Sequence, residues 1–376
     1  MPPLSVMIKP ASSLCNLRCS YCFYSDVTAH RDVTSYGVME RDTLEKLVRK
    51  AFAYSDVQVT FAFQGGEPTI AGKEFFREFL RLIHRYNARN VEVHCAIQTN
   101  ATLLDEDWAE IFKKGNFLVG VSLDGTKTLH DRWRLTASGE PTYDWVEEKI
   151  GLLKAAQVEY NILCVVNHAI ARNGQAVYEN LKKHGYLQFI PCLDGFDGNK
   201  NEYSLQPGDY GKFLCDTFPL YEQDWYRGCP VSVRTFDNWV TMILGYPPEN
   251  CAMYGHCANN FLMEADGSVY PCDFYVLDEW KLGNIKNDSF FRLGKSVVGK
   301  RFRELSMQVN EACGSCEYYP LCRGGCRRER EPLENGRLQK NRLCEDHRIF
   351  FCLYGNRLRQ MARDVARRNG MTMCEY

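Results

Sequence analysis

Short apolar runs alternate with stretches of helical hydrophobic period over the first 195 residues. The runs predict strands near Ser5–Lys9, Val57–Phe63, Val91–Thr99, Phe117–Leu123, Val158–Val166 and Leu187–Leu193. The stretches between them predict helices near Glu40–Ala53, Lys73–Tyr86, Asp105–Lys113, Tyr143–Ala156 and Gly174–His184. Strand, helix, strand, repeated, builds a parallel sheet through right-handed crossovers. The expected fold class is therefore α/β, and six such units fit a partial (β/α)6 barrel. Sheets of this kind place ligands at the carboxyl ends of their strands, where the loops converge.

The pattern changes after residue 195. Asp194–Asn199 is turn-rich, a helical stretch follows from Pro207 to about Arg227, and an apolar segment runs from Val231 to Leu244. Between Cys251 and Cys344 there are eight cysteines in 94 positions and little continuous core pattern. Metal crosslinks are expected to replace an ordinary core there. Phe261–Tyr270 reads as a hairpin turned by Asp266-Gly267. From Glu345 to Asn369 a basic amphipathic helix is expected to dock through Ile349, Phe350, Leu353, Leu358, Met361 and Val365. The domains implied are residues 1–230, 231–345 and a terminal helix within 346–376.

Composition narrows the class. Of 376 residues, 45% are hydrophobic and 25% charged, with a formal net charge of −1. That balance is soluble and globular, and it gives no field to attract nucleic acid or an anionic membrane. No apolar run has the length of a membrane span, and the start of the chain has no signal-peptide pattern. A cytoplasmic location is expected. Eighteen cysteines without a secretory signal read as metal ligands rather than disulfides.

Cys15, Cys19 and Cys22, in C-x3-C-x2-C spacing, follow the first strand. Three thiolates on one loop can hold three irons of a 4Fe–4S cube and leave the fourth iron open for chemistry. With Tyr21 before the last cysteine, the motif resembles the radical S-adenosylmethionine (SAM) enzymes. In that family the open iron chelates SAM, and reduction cleaves it to a 5′-deoxyadenosyl radical. The resemblance implies further SAM contacts. Gly65, Gly66 and Glu67 match a Gly-Gly-Glu-Pro loop after the second strand, where glycines admit close backbone approach. Ser122 and Asp124 end the fourth strand, Arg134 is placed to meet a carboxylate, and Leu193 would flank adenine.

The eight later cysteines make two sets of four. Spacing alone leaves zinc and iron–sulfur both open. Behind the first motif, the region resembles a SPASM domain, which carries two auxiliary 4Fe–4S clusters. The resemblance assigns Cys251, Cys257, Cys272 and Cys326 to one and Cys313, Cys316, Cys322 and Cys344 to the other. The chain thus implies three 4Fe–4S clusters and SAM. The other seven cysteines, Cys95, Cys164, Cys192, Cys215, Cys229, Cys352 and Cys374, have no assigned function. Asp273 directly follows a cluster ligand, so it is the candidate general base for a proton leaving an oxidised substrate carbon.

Longer segments narrow the resemblance to anaerobic sulfatase-maturating enzymes. They include Ile8-Lys9-Pro10, Phe61 to Thr69, Asn161 to Val166, Asp266 to Tyr275 and Gly324 to Arg328. The implied reaction converts one Cys or Ser of an unfolded sulfatase polypeptide to Cα-formylglycine. The implied partners are that polypeptide and an electron donor such as ferredoxin or flavodoxin. Tyr24 and Gln64 are the candidates for touching the peptide. The alternative is a SPASM maturase making a thioether or epimerised residue. Such enzymes often carry an N-terminal peptide-binding domain, for which the early first strand leaves no expected room.

Overall fold

The computed structural model describes residues 2–258 and 260–371. Its strands are β1 (Leu4–Ile8), β2 (Gln58–Phe63), β3 (Glu92–Thr99), β4 (Phe117–Ser122), β5 (Tyr160–Val166), β6 (Tyr186–Pro191), β7 (Ser232–Val233), β8 (Phe261–Met263), β9 (Ser268–Tyr270) and β10 (Gly283–Asn284). The six expected strands occur within two residues of their predicted bounds. Strand pairing among the described residues leaves the sheet open rather than closed into a barrel. The chain divides into two compact units. One comprises Met1–Leu123, His130–Asn161 and Asn259–Phe302; the other comprises Asp124–Leu129, Ile162–Ala258 and Arg303–Tyr376.

The first unit holds a mixed sheet in the order β10-β9-β8-β1-β2-β3-β4. β1 runs parallel to β2 in register Ile8↔Phe63, and β2 to β3 in register Phe63↔Ile97. β8 and β9 form the expected antiparallel hairpin, with Gly267 at φ +90° in its turn. Sequence reading did not anticipate that β8 also pairs in parallel with β1, Ile8 opposite Met263. The helices are α1 (Phe23–Ala29), α2 (Arg41–Tyr54), α3 (Lys73–Tyr86), α4 (Glu106–Lys114) and α5 (Tyr143–Ala155). Their apolar stripes cover the sheet, as the helical period requires. Phe63 sits at the centre, with the Phe76 and Phe79 rings of α3 at 4.9 and 4.8 Å.

The second unit pairs β5, β6 and β7 in parallel. It is completed by α6 (Gly174–Leu181), α7 (Asp209–Tyr226), α8 (Arg234–Ile243) and α9 (Cys344–Arg368). α9 docks through Phe350, Phe351, Leu358 and Met361, all buried. Phe350 stacks on Trp239 of α8 at 4.9 Å and lies 5.5 Å from Phe218 of α7. Two residues assigned to that face are corrected: Ile349 and Leu353 are 47% and 62% exposed. Each helical step turns the side chain by about 100°, so Ile349 falls off the stripe centred on Phe350. No helix among the described residues is long and apolar enough to cross a membrane.

Three buried charges of the first unit form one cluster. Glu264, in the hairpin turn, lies 3.0 Å from Lys9 and 2.6 Å from Arg31, and all three side chains are fully buried. Burial opposes the Glu264 charge, but the two cations outweigh it and hold the carboxyl below its usual range. Removing one member leaves buried charge uncompensated. Glu264→Gln is expected to cost about 3–5 kcal/mol of stability, read as a lowered midpoint in chemical denaturation.

Candidate active site

The cysteine loop is pinned on both sides. Arg18 N donates to Leu135 O at 2.8 Å and Ser20 N to Trp133 O at 3.3 Å, while Glu67 N donates to Leu14 O at 2.8 Å. Leu17 and Tyr21 point into the core. Cys22 ends the loop as the N-cap of α1. Arg134 reaches Cys19 Sγ at 3.9 Å and stacks over the Tyr21 ring at 5.5 Å. Asn100 Nδ2 approaches Cys15 Sγ at 3.8 Å.

The glycine loop is built against this one. Gly66 has φ +58°, and a Cβ there would stand 2.4 Å from Leu14 O. Gly65 has φ +90°, and its Cβ would stand 2.5 Å from Lys9 Cε. Only glycine fits either position. The Glu67 carboxylate is used internally. Its Oε1 accepts from Thr69 N, Thr69 Oγ1 and Thr99 Oγ1, and its Oε2 from Asn100 N at 2.7 Å. This leaves the backbone of the loop, rather than the Glu67 side chain, available to a ligand. Ser122 is buried at the end of β4. In the second unit, Asp124 Oδ1 accepts from Val165 N at 2.8 Å and Leu193 follows β6, half-buried.

Asp273 opens the turn Asp273–Tyr275 directly after Cys272. Its Oδ2 accepts from Tyr24 Oη and Gln64 Nε2, both at 2.8 Å. Its Oδ1 is buried with no partner among the described residues. Burial raises the carboxyl to about 6, against the pull of Lys9 and the Tyr24 hydrogen bond. Tyr24 and Gln64, expected to face the peptide, are thus brought together on the candidate base. The Tyr24 phenol is pushed well up, first by burial and then by Asp273, and stays a donor. Sequence reading missed Lys9, whose ammonium lies 5.1 Å over the Tyr24 ring. A charged residue closing an apolar strand was the available signal.

The later cysteines fall into local groups. Cys313, Cys316, Cys322 and Cys344 line one cavity of about 260 Å³ in the second unit. Gly324 and Gly325, at φ +80° and +72°, wrap the chain around it. Cys251, Cys257 and Cys326 lie in the same unit, and the charges of Cys257 and Cys251 bear on Cys326. Cys272 belongs to the first unit, at the end of the hairpin. His347 was also missed: it lines the cavity with Nδ1 4.0 Å from Cys322 Sγ, and burial pushes it down to about 4. Of the unassigned cysteines, Cys95, Cys164 and Cys192 are buried, Cys215 is half-buried, Cys229 and Cys352 are exposed, and Cys374 lies outside the described residues.

The thiols fit iron–sulfur clusters. Burial pushes Cys15 and Cys322 up to about 11, and Cys326 further. Such thiols ionise when a metal supplies the missing positive charge. Cys313, Cys316, Cys322 and Cys344, all lining one cavity, supply the all-thiolate donor set that a 4Fe–4S cluster takes.

Comparisons with known proteins agree. The radical SAM superfamily profile matches residues 10–171, and an iron–sulfur cluster-binding SPASM domain matches 256–317. A cysteine-type anaerobic sulfatase-maturating enzyme of Clostridium novyi (strain NT) is 46% identical, covering 98% of this chain and all of the relative. The chain belongs to the anaerobic sulfatase-maturating enzymes. A second cysteine-type member, from Clostridium perfringens (strain ATCC 13124), is 43% identical over 97% of this chain and all of its own. A solved structure, native anSMEcpe with bound AdoMet (SAM) and Cp18Cys peptide, superposes with a TM-score of 0.92 at 42% identity, covering 97% of this chain and all of that one. Members of this family carry SAM and 4Fe–4S clusters.

Replacing Cys15, Cys19 and Cys22 together by Ala is expected to remove about one third of the iron, since one of three equal clusters is lost. Iron and sulfide analysis reads the change. SAM cleavage should disappear while the absorbance of the remaining clusters persists.

Proposed function

We propose that this enzyme oxidises one cysteine in an unfolded sulfatase polypeptide to Cα-formylglycine. Full-length similarity to cysteine-type members supports the reaction and the residue preference. The observation that carries the chemistry is Asp273: a buried carboxylate next to an expected cluster ligand, with one oxygen bonded and the other unpartnered. We assign residues 1–230 to the radical SAM portion, 231–345 to the SPASM portion and 346–376 to the terminal helix. A reduced ferredoxin or flavodoxin is the expected electron donor. The cytoplasm suits a chain with so many thiol ligands.

When bound, the clusters and SAM supply one-electron chemistry: removal of a hydrogen atom from the substrate Cβ and a sink for one further electron. The remaining product of that oxidation is a proton from the thiol, which must leave for the C=S bond to form. Asp273 Oδ1 receives it; water then adds to the thioaldehyde carbon and hydrogen sulfide leaves, giving the aldehyde. Tyr24 and Gln64 donate to Oδ2 and so turn Oδ1 toward the incoming group. They also stabilise the ionised form, offsetting the burial that disfavours it. Cys15, Cys19 and Cys22 hold the first cluster. Tyr21, the Gly65-Gly66-Glu67 loop, Ser122, Asp124, Arg134 and Leu193 are assigned to SAM. Cys272, Cys251, Cys257 and Cys326 hold one auxiliary cluster, and Cys313, Cys316, Cys322 and Cys344 the other.

The test is mass spectrometry under strict anaerobiosis with reconstituted enzyme, SAM, a reductant and a peptide bearing a Cys-x-Pro-x-Arg motif. The expected product has sulfur replaced by oxygen and two hydrogens lost, with matching 5′-deoxyadenosine. The Ser version of the peptide is expected to react more slowly. Deoxyadenosine with no change in the peptide would contradict the substrate assignment.

A base works only when deprotonated. Peptide oxidation is therefore expected to fall as pH drops through about 6, the value to which burial raises Asp273. Tyr24→Phe removes a donor that favours the carboxylate, so the acidic limb should move to higher pH. Rate profiles of formylglycine formation between pH 5 and 8, a range chosen to bracket that value, would show both effects.

A further inference from the structure

The cavity lined by Cys313, Cys316, Cys322 and Cys344 has an imidazole on its wall that the mechanism above leaves unused. His347 lies in the first turn of α9, three residues after Cys344, so helix geometry sets the ring and that thiol on one face. Three aromatic rings pack around the imidazole: Tyr210 of α7 at 6.0 Å, Trp239 of α8 at 6.1 Å and Phe351 of α9 at 6.3 Å. Its one side-chain polar contact among the described residues is Cys322 Sγ, 4.0 Å from Nδ1. The backbone N–H of Gly324 meets the same sulfur. Lys340 and Arg348 also line the cavity, but both are exposed and ion-paired with Glu345.

The chemistry of the pair fixes the direction of the bond. A thiolate bound to iron has lone pairs and no hydrogen, so the hydrogen must sit on Nδ1. The reduced form of a cluster carries the extra negative charge. A donor to a ligand sulfur therefore favours the reduced form, and hydrogen bonds to sulfur are one means by which proteins set cluster potentials. We propose that His347 donates from Nδ1 to Cys322 Sγ and so raises the reduction potential of the cluster held by Cys313, Cys316, Cys322 and Cys344. The inference rests on the ligand assignment above and adds a residue outside the ligand set. His347 binds no iron. It makes this cluster a better holder of the electron that substrate oxidation releases.

Two substitutions separate a donor from a packing ring. His347→Phe keeps an aromatic ring among Tyr210, Trp239 and Phe351 and removes the hydrogen. His347→Asn gives up the ring but offers an amide N–H in place of Nδ1. Potentials would be read by electron paramagnetic resonance during an anaerobic redox titration of the reconstituted full-length enzyme, with iron content measured alongside. In the Phe variant the one-electron reduction equilibrium of one cluster is expected to fall about tenfold, the size of one hydrogen bond, which is a lowering of about 59 mV. The other clusters should keep their potentials, and the Asn variant should stay within roughly twofold of wild type, less than one hydrogen bond is worth. The shift should persist when Cys15, Cys19 and Cys22 are replaced by Ala, since the responding cluster is an auxiliary one. A Phe variant with every potential within roughly twofold of wild type would overturn the proposal. Equal shifts in the Phe and Asn variants would overturn it too, since packing would then set the potential. If the Phe variant loses iron, His347→Leu, which also lacks a donor, gives the same comparison with Asn. Zinc rather than iron at these thiols in the wild-type enzyme would instead sink the ligand assignment on which the proposal stands.

Discussion

A carboxylate taken out of water must be compensated, and the compensation of Asp273 organises the active region of the first unit. Tyr24 comes from α1, directly after the cysteine loop, and Gln64 from the end of β2. Both converge on a residue more than two hundred positions further along the chain. The surrounding charges balance as well. Lys9 and Arg31 are two buried cations; Glu264 and Asp273 are two buried carboxylates. Pairing in low dielectric is effective only when the geometry is held, and here the parallel pairing of β1 with β8 holds it. The hairpin that carries Asp273 is therefore part of the sheet that presents the cysteine loop.

The same economy of position appears in the ligand loops. Gly66 lets the chain pass against Leu14, and Glu67 uses its whole carboxylate to tie that passage to the end of β3. The backbone of the cysteine loop is bonded to residues 133–135 on one flank and to Glu67 on the other. What iron adds is charge. Buried thiols pushed far above neutrality need a metal to ionise, so cluster assembly and thiol deprotonation are one event.

Much of this was legible in the sequence because the signals were local. Strand and helix periods located the elements of the parallel sheet, and one of the cysteine groupings read from spacing is found lining a single cavity. Asp266-Gly267 announced the hairpin. What was not legible depended on distant packing. Nothing local says that β8 joins β1, or that Tyr24 and Gln64 meet at Asp273. The terminal helix shows the limit of a one-dimensional stripe: Phe350 and Leu358 were read correctly, but Ile349 and Leu353 face away from the aromatic cluster of α7 and α8.

In the proposed mechanism Asp273 removes the substrate proton, and SAM cleavage proceeds independently of it. The most direct measurement is the ratio of 5′-deoxyadenosine to formylglycine formed by Asp273→Asn under single-turnover, anaerobic conditions. Asparagine keeps the shape and can still meet Gln64 and Tyr24, but it cannot take a proton. Unchanged iron content and continued SAM cleavage are expected, with formylglycine reduced about a hundredfold or more, the usual loss of a general base. Formylglycine produced at the wild-type rate, in step with deoxyadenosine, would contradict it.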